Sequence, residues 1–290
     1  MSWYRSMPYF AILRPKQWTK NLLVFAALIF SIKIVTIDML VRCIAGFSLF
    51  CLVSGCVYVL NDYVDRDADG RHPEKRYRPI ASGRLEPFRA LAFGCLLLFS
   101  SLALAFALDS WFSVLLLGYF IINVAYSIKL KHVVIIDIMV IAFGFVLRAI
   151  GGGLVIGIAF TPWFLICTML LALFLAISKR RHELALLSEN KGEHRKVLEQ
   201  YSSELLNQLN SIVTTAAIMS YSLFTFTSGH TIHLMWTIPL VMYGIFRYLY
   251  LIHMKGKGGR PEEILLEDSH ILTTVMLFAV MIVVILYYFE

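Results

Sequence analysis

Val41 to Leu60, VRCIAGFSLFCLVSGCVYVL, runs straight into Asn61-Asp62-Tyr63-Val64-Asp65-Arg66-Asp67-Ala68-Asp69. An apolar run of this length crosses a hydrocarbon core of roughly 30 Å as a helix. The acidic cluster at its end then stands at the membrane surface. Asp62, Asp65 and Asp69 are spaced i, i+3, i+7. If the helix continues, the three carboxylates share one face. Like charges that close repel, and a hard cation with oxygen ligands relieves them. Mg2+ typically bridges one or two carboxylates to the phosphates of a substrate. The competing reading is a solvated acidic loop.

The rest of the chain favours the membrane. Of 290 residues, 59% are hydrophobic and 16% are charged, against about 25% charged in soluble domains. Nine apolar runs read as spans, at 21–37, 41–60, 88–108, 110–126, 133–155, 160–178, 211–229, 234–252 and 271–289. The expectation is an all-α polytopic membrane protein, a single domain over 1–290, with nine transmembrane helices around a central cavity opening to the cytoplasm. Met1 to Lys20 is polar and amphipathic and does not read as a cleavable leader. Cys43, Cys51, Cys56, Cys95 and Cys167 fall in apolar runs without metal-ligand spacing, and read as small core residues.

Charge alternates between connections. Arg5, Arg14, Lys16 and Lys20 precede the first span, 61–87 is long and charged, and Lys129 and Lys131 follow the fourth span. Lys179-Arg180-Arg181 opens the 179–210 loop, and Lys255, Lys257 and Arg260 lie in 253–270, where Pro261 reads as opening a short helix. The other connections carry only Lys33 and Arg42. Positive charge marks the cytoplasmic side, so the N-terminus and every long loop are expected in the cytoplasm and Glu290 on the far side of the cytoplasmic membrane. The net charge of +7 belongs to these loops and gives no reason to expect nucleic acid.

Asn61-Asp62-x-x-Asp65-x-x-x-Asp69 resembles the NDxxDxxxD motif of the UbiA-type superfamily of intramembrane prenyltransferases. Arg14-Pro15-Lys16-Gln17-Trp18-x-Lys20-Asn21, Arg78-Pro79-x-x-Ser82-Gly83 and Tyr126-Ser127-x-x-Leu130-Lys131 are similar to further elements of that family. The resemblance implies that Asn61, Asp62, Asp65 and Asp69 hold Mg2+ on the diphosphate of a donor, with Asp62 and Asp65 central to catalysis.

One departure matters. Members acting on aromatic acceptors carry a second aspartate-rich motif after span six. Here the position reads Lys179-Arg180-Arg181-His182-Glu183, and no aspartate lies between Asp137 and Asp268. This looks like the branch typified by decaprenyl-phosphate phosphoribosyltransferases. That resemblance implies transfer of 5-phosphoribose from phosphoribosyl diphosphate to a polyprenyl phosphate. Both substrates are anionic, and cations suit them better than carboxylates.

Substrate-binding candidates are therefore Lys16, Lys20, Arg66, Lys75, Arg78, Tyr126, Lys129, Lys131, Lys179, Arg180 and Arg181, with Asp137 and Arg148 inside span five. Each loop cation has a competing topogenic explanation. Asp137 near the cytoplasmic mouth is placed to orient Lys131 or touch the ribose. Arg148, about 16 Å further along the helix, has either a substrate or a structural partner such as backbone carbonyls near Gly151-Gly152-Gly153. His72 and His182 are lone histidines beside charges. Two alternatives stay open: prenyl transfer to an aromatic or isoprenoid acceptor, and an anionic-solute transporter. Oligomeric state is open too.

Overall fold

The computed structural model describes residues 7–31, 35–71, 75–159, 161–188, 196–256, 264 and 267–289. Arg5, Lys33, His72, Lys257, Arg260, Pro261 and Glu290 lie outside the described residues.

The described residues are helical almost throughout. After α1 (Pro8–Ile12) comes a 3-10 helix (Pro15–Phe25), continued by α2 (Ala26–Phe30). The long helices are α3 (Ile37–Val64), α5 (Pro87–Leu108), α6 (Ser110–Ile128), α7 (Ile136–Ile156), α8 (Pro162–Ser188), α9 (Ser203–Thr227), α10 (Ile238–Lys255) and α11 (Ser269–Phe289). A short α4 (Arg66–Arg71) follows α3. Among the described residues eight helices are long and apolar enough to cross a membrane, counting α10 with the 3-10 turn before it. The expected span at 21–37 is not among them.

Its place is taken by the 3-10 helix and α2. The reason shows in the burial pattern. Asn21, Val24 and Ala27 are fully buried, while Lys16, Thr19 and Leu22 are exposed. That three-residue period matches 3.0 residues per 3-10 turn, where side chains at i and i+3 eclipse. The segment lies against α3 and α7: Cys43 donates to the Val24 carbonyl, and Asn21 donates to Cys51 Sγ and Ser54 Oγ. Gly152 admits this approach. A Cβ there would stand 2.0 Å from the Val24 carbonyl oxygen.

Local chemistry ends the helices where the apolar runs end. Thr36, Asp109 and Ser202 cap α3, α6 and α9 by accepting from the backbone N–H three residues on. Pro87 opens α5. Gly157 and Gly256 close α7 and α10 with positive φ, of 71° and 61°. Arg42, expected in a connection, lies inside α3 and donates to the Leu108 carbonyl.

α3 and α7 are the most buried spans, and α5 and α6 present most of their surface outward. Phe50, Phe112, Leu116 and Tyr119 pack between α3, α6 and α7. α7 also packs on α8, and α8 lies along α9. The bundle thus has α7 as its shared wall. Exposed Leu96, Phe99, Phe106 and Trp111 form part of an outward apolar surface, as expected of helices facing lipid.

Candidate active site

The acidic motif sits where α3 ends. The helix does not continue through it: Asp65 caps α3 at φ −90°, ψ 5°, and α4 starts at Arg66. The three carboxylates therefore do not line one helix face. Asp62 and Asp69 are buried, at 2% and 3% exposure, and meet across Arg78. One Arg78 Nη lies 3.2 Å from Asp62 Oδ1 and 2.5 Å from Asp69 Oδ2. Arg78 is aimed by the turn that follows it. Ser82 Oγ donates to the Arg78 carbonyl, and Gly83 closes the turn at φ 72°. Arg14 reaches the same Asp62 oxygen and stacks over Tyr58, 4.7 Å from the ring centre. Its backbone is left-handed at φ 52°, unusual for arginine. Asp65 turns instead to Lys131 Nζ, 3.3 Å away, in the 3-10 turn Leu130–His132.

The donor set suits a hard cation. Asn61 Oδ1 and Asp62 Oδ2 are buried and, among the described residues, have no hydrogen-bond partner. Such orphaned oxygens cost about 1–3 kcal/mol each unless something satisfies them. Among the described residues no three His, Cys, Asp or Glu side chains form a metal cluster. An oxygen-only site short of ligands matches Mg2+, which keeps waters and takes substrate phosphates as ligands.

A second ionic cluster joins α7, α8 and the 196–202 connection. Arg180 Nε donates to Asp137 Oδ2 at 2.8 Å, and its other end pairs with Glu183. The Tyr201 hydroxyl donates to Asp137 Oδ1 and accepts from the Ile135 N–H, both at 2.7 Å. Burial, with the Asp137 contact, pushes the Tyr201 hydroxyl up from its ordinary value. Ile135 sits at φ 70°, held by that bond. Asp137 thus orients Arg180, not Lys131. The cation run splits: Arg180 is buried, while half-buried Arg181 turns to Asn207 on α9, donating Nε to Oδ1 at 2.7 Å. Lys179 is half-buried on the same helix, and half-buried Tyr126 is near enough to Arg180 to interact with it electrostatically.

The remaining candidates separate clearly. Arg148 is deep in the bundle, donating to Asn21 Oδ1, the Gly144 carbonyl and the Tyr119 hydroxyl, each at 2.7 Å. That is a satisfied structural set, built on Gly144 rather than Gly151-Gly152-Gly153. Arg66 donates to the Tyr63 carbonyl. Lys16, Lys75 and Lys129 are exposed, Lys20 half-buried. Reading the sequence missed Arg14 as a site residue, although it heads the Arg14-Pro15-Lys16 element. It also missed Tyr201, which has no local signal and meets Asp137 from 64 residues away.

The chain is similar to known proteins over most of its length. The UbiA prenyltransferase family matches residues 22–262. A decaprenyl-phosphate phosphoribosyltransferase of Mycolicibacterium smegmatis is 33% identical over 269 residues, 88% of this chain and 85% of that protein. One from Corynebacterium glutamicum is 35% identical over 272 residues, covering 89% and 80%. The structure of a UbiA homolog from Archaeoglobus fulgidus bound to GPP and Mg2+ superposes with a TM-score of 0.73 at 20% identity, covering 97% of this chain and 99% of that one. With its all-helical bundle, its acidic motif at the end of α3 and relatives of this kind over most of its length, the chain belongs to the UbiA prenyltransferase family and is a multi-pass membrane transferase.

Proposed function

We propose that this transferase moves 5-phosphoribose from phosphoribosyl diphosphate to a polyprenyl phosphate, releasing diphosphate. The observation that carries the reading is the division of charge. Oxygen ligands gather at the end of α3, whereas Lys179 and Arg181 stand about two turns before the end of α8, where a prenyl-transferring site would carry carboxylates. The names of the relatives point the same way.

Asn61 and Asp62 would hold Mg2+, with Asp65 and Asp69 supporting. When bound, the ion would neutralise charge on the leaving diphosphate. Arg14 and Arg78 stand on the other oxygen of Asp62 and suit the diphosphate as counter-charges. A lipid phosphate oxygen attacks the anomeric carbon as the bond from that carbon to the diphosphate oxygen breaks. A phosphate monoester is largely ionised at neutral pH, its second pKa being about 6. No protein base is therefore needed. Lys16, Lys20, Lys129, Lys131 and Arg181 are the cations offered to the remaining phosphates. The site is placed on the cytoplasmic side of the cytoplasmic membrane, where the basic loops lie.

The test is incubation of purified protein with phosphoribosyl diphosphate, Mg2+ and polyprenyl phosphate, with mass spectrometry of the lipid. The expected product is the lipid phosphate plus one phosphoribosyl group. Turnover of a prenyl diphosphate with an aromatic acid, and none of phosphoribosyl diphosphate, would overturn the reading.

A further inference from the structure

α9 is apolar enough to cross a membrane, yet its first turns are polar. Asn207, Ser211 and Thr215 are exposed along it, and Asn210 and Thr214 are buried beside them. Between this face and His253 of α10 lies a cleft of about 310 Å³ lined by Asn207, Asn210, Ser211 and Thr214. A larger hollow of about 660 Å³, bordered by Glu204 and Gln208, shares Asn207 and Ser211 with it. Arg181 is tied to Asn207 on this wall.

Two atoms give the cleft its chemistry. Asn210 Oδ1 and Thr214 Oγ1 are buried, and neither has a hydrogen-bond partner among the described residues. Their residues are 3% and 8% exposed. Within a membrane span the surrounding lipid offers no hydrogen bonds, and an unsatisfied buried oxygen costs about 1–3 kcal/mol. Asn210 Oδ1 accepts and cannot donate. The ionised oxygens of a phosphate therefore do not satisfy it, whereas a hydroxyl does. Arg181 suits an anion at the edge of the same cleft.

We propose that the α9–α10 cleft binds a phosphate group carried on a hydroxylated backbone, with Asn210 and Thr214 taking the hydroxyls and Arg181 the phosphate. That this group is the ribose 5-phosphate end of the donor rests on the function proposed above. The same chemistry occurs in a phosphatidylglycerol headgroup.

The test uses the full chain in detergent, ribose 5-phosphate as ligand, and Asn210→Leu and Thr214→Val. Ribose 5-phosphate lacks the diphosphate, so its binding does not depend on the acidic motif. Each variant is expected to melt at or above the wild-type temperature, because an unsatisfied atom has gone. Each is expected to bind ribose 5-phosphate about 10-fold or more weakly, the scale of one lost hydrogen bond. Arg181→Ala, which removes the phosphate contact at a half-buried position, serves if either variant fails to fold, with a loss of affinity expected. Phosphatidylglycerol binding that the variants lose also supports the site and names a lipid as its source. Unchanged binding of both ligands in the variants, or none by the wild type, overturns the proposal. The two readings fail separately. Normal transfer with unchanged binding sinks the cleft alone; ribose 5-phosphate bound here without transfer sinks the proposed function alone.

Discussion

Arg180 and Asp137 form an ion pair sealed inside the protein, with side chains 2% and 0% exposed. The next residue, Arg181, faces away from it toward Asn207. Successive residues on a helix point about 100° apart, from 3.6 residues per turn, so adjacent arginines serve different ends.

Arg180→Ala is expected to destabilise the protein by about 3–5 kcal/mol, because it leaves Asp137 buried without its cation. Arg181→Ala is expected to leave stability nearly unchanged and to raise KM for a phosphate-bearing substrate. The loss of a charge-assisted contact, about 1.5–3 kcal/mol, corresponds to roughly 10- to 150-fold. Thermal unfolding and steady-state kinetics on both variants check the contrast. A stable Arg180→Ala beside an unstable Arg181→Ala would reverse the assignment.

Asp65→Asn is expected to abolish transfer while the protein still inserts and folds. Asp65 is the least buried of the three motif carboxylates, with a side chain 38% exposed, so neutralising it disturbs packing little. Near wild-type turnover at saturating Mg2+ would remove Asp65 from the metal site.

Arg78→Ala is expected to cost about 1.5–3 kcal/mol in metal-free buffer, since Asp62 and Asp69 lose the cation they share. Mg2+ then takes over that neutralisation. The rise in melting temperature on adding Mg2+ should be larger in the variant than in the wild type. An equal or smaller rise would mean that ion and arginine do not serve the same carboxylates.

Nine crossings are expected, although eight helices qualify by length. Arg14 meets Asp62 near the end of α3, while α3 begins at Ile37. The described segment from Pro15 to Phe30 therefore runs back along α3. Cysteines placed at exposed Tyr77 and Met254 should label from the cytoplasmic side, and one at Ser110 from the other. Labelling of Ser110 and Tyr77 from one side would refute the arrangement.

Much of this was legible in the residues. The apolar runs located the long helices. The acidic motif and Arg78 were found from spacing and resemblance. The pitch of Pro15–Phe25 was not, because over so few turns a three-residue period is hard to tell from 3.6. Nor was the break at Asp65, which put Asp62 and Asp69 on Arg78 and Asp65 on Lys131. Those pairings join residues 16, 9 and 66 positions apart, so they depend on tertiary packing. The run Lys179-Arg180-Arg181 looked uniform because charge alone does not say which side chain points inward.

The 3-10 segment is fastened at both ends, by Arg14 on Asp62 and by Val24 against Gly152. At about 2.0 Å per residue its 11 residues reach about 22 Å. Wound as an α-helix they would reach about 16 Å. The difference is about one α-helical turn of travel, and neither fastening can absorb it. Length and latch are thus mechanically coupled: the segment can change its winding only by letting go of one end, and while both ends hold it keeps its length.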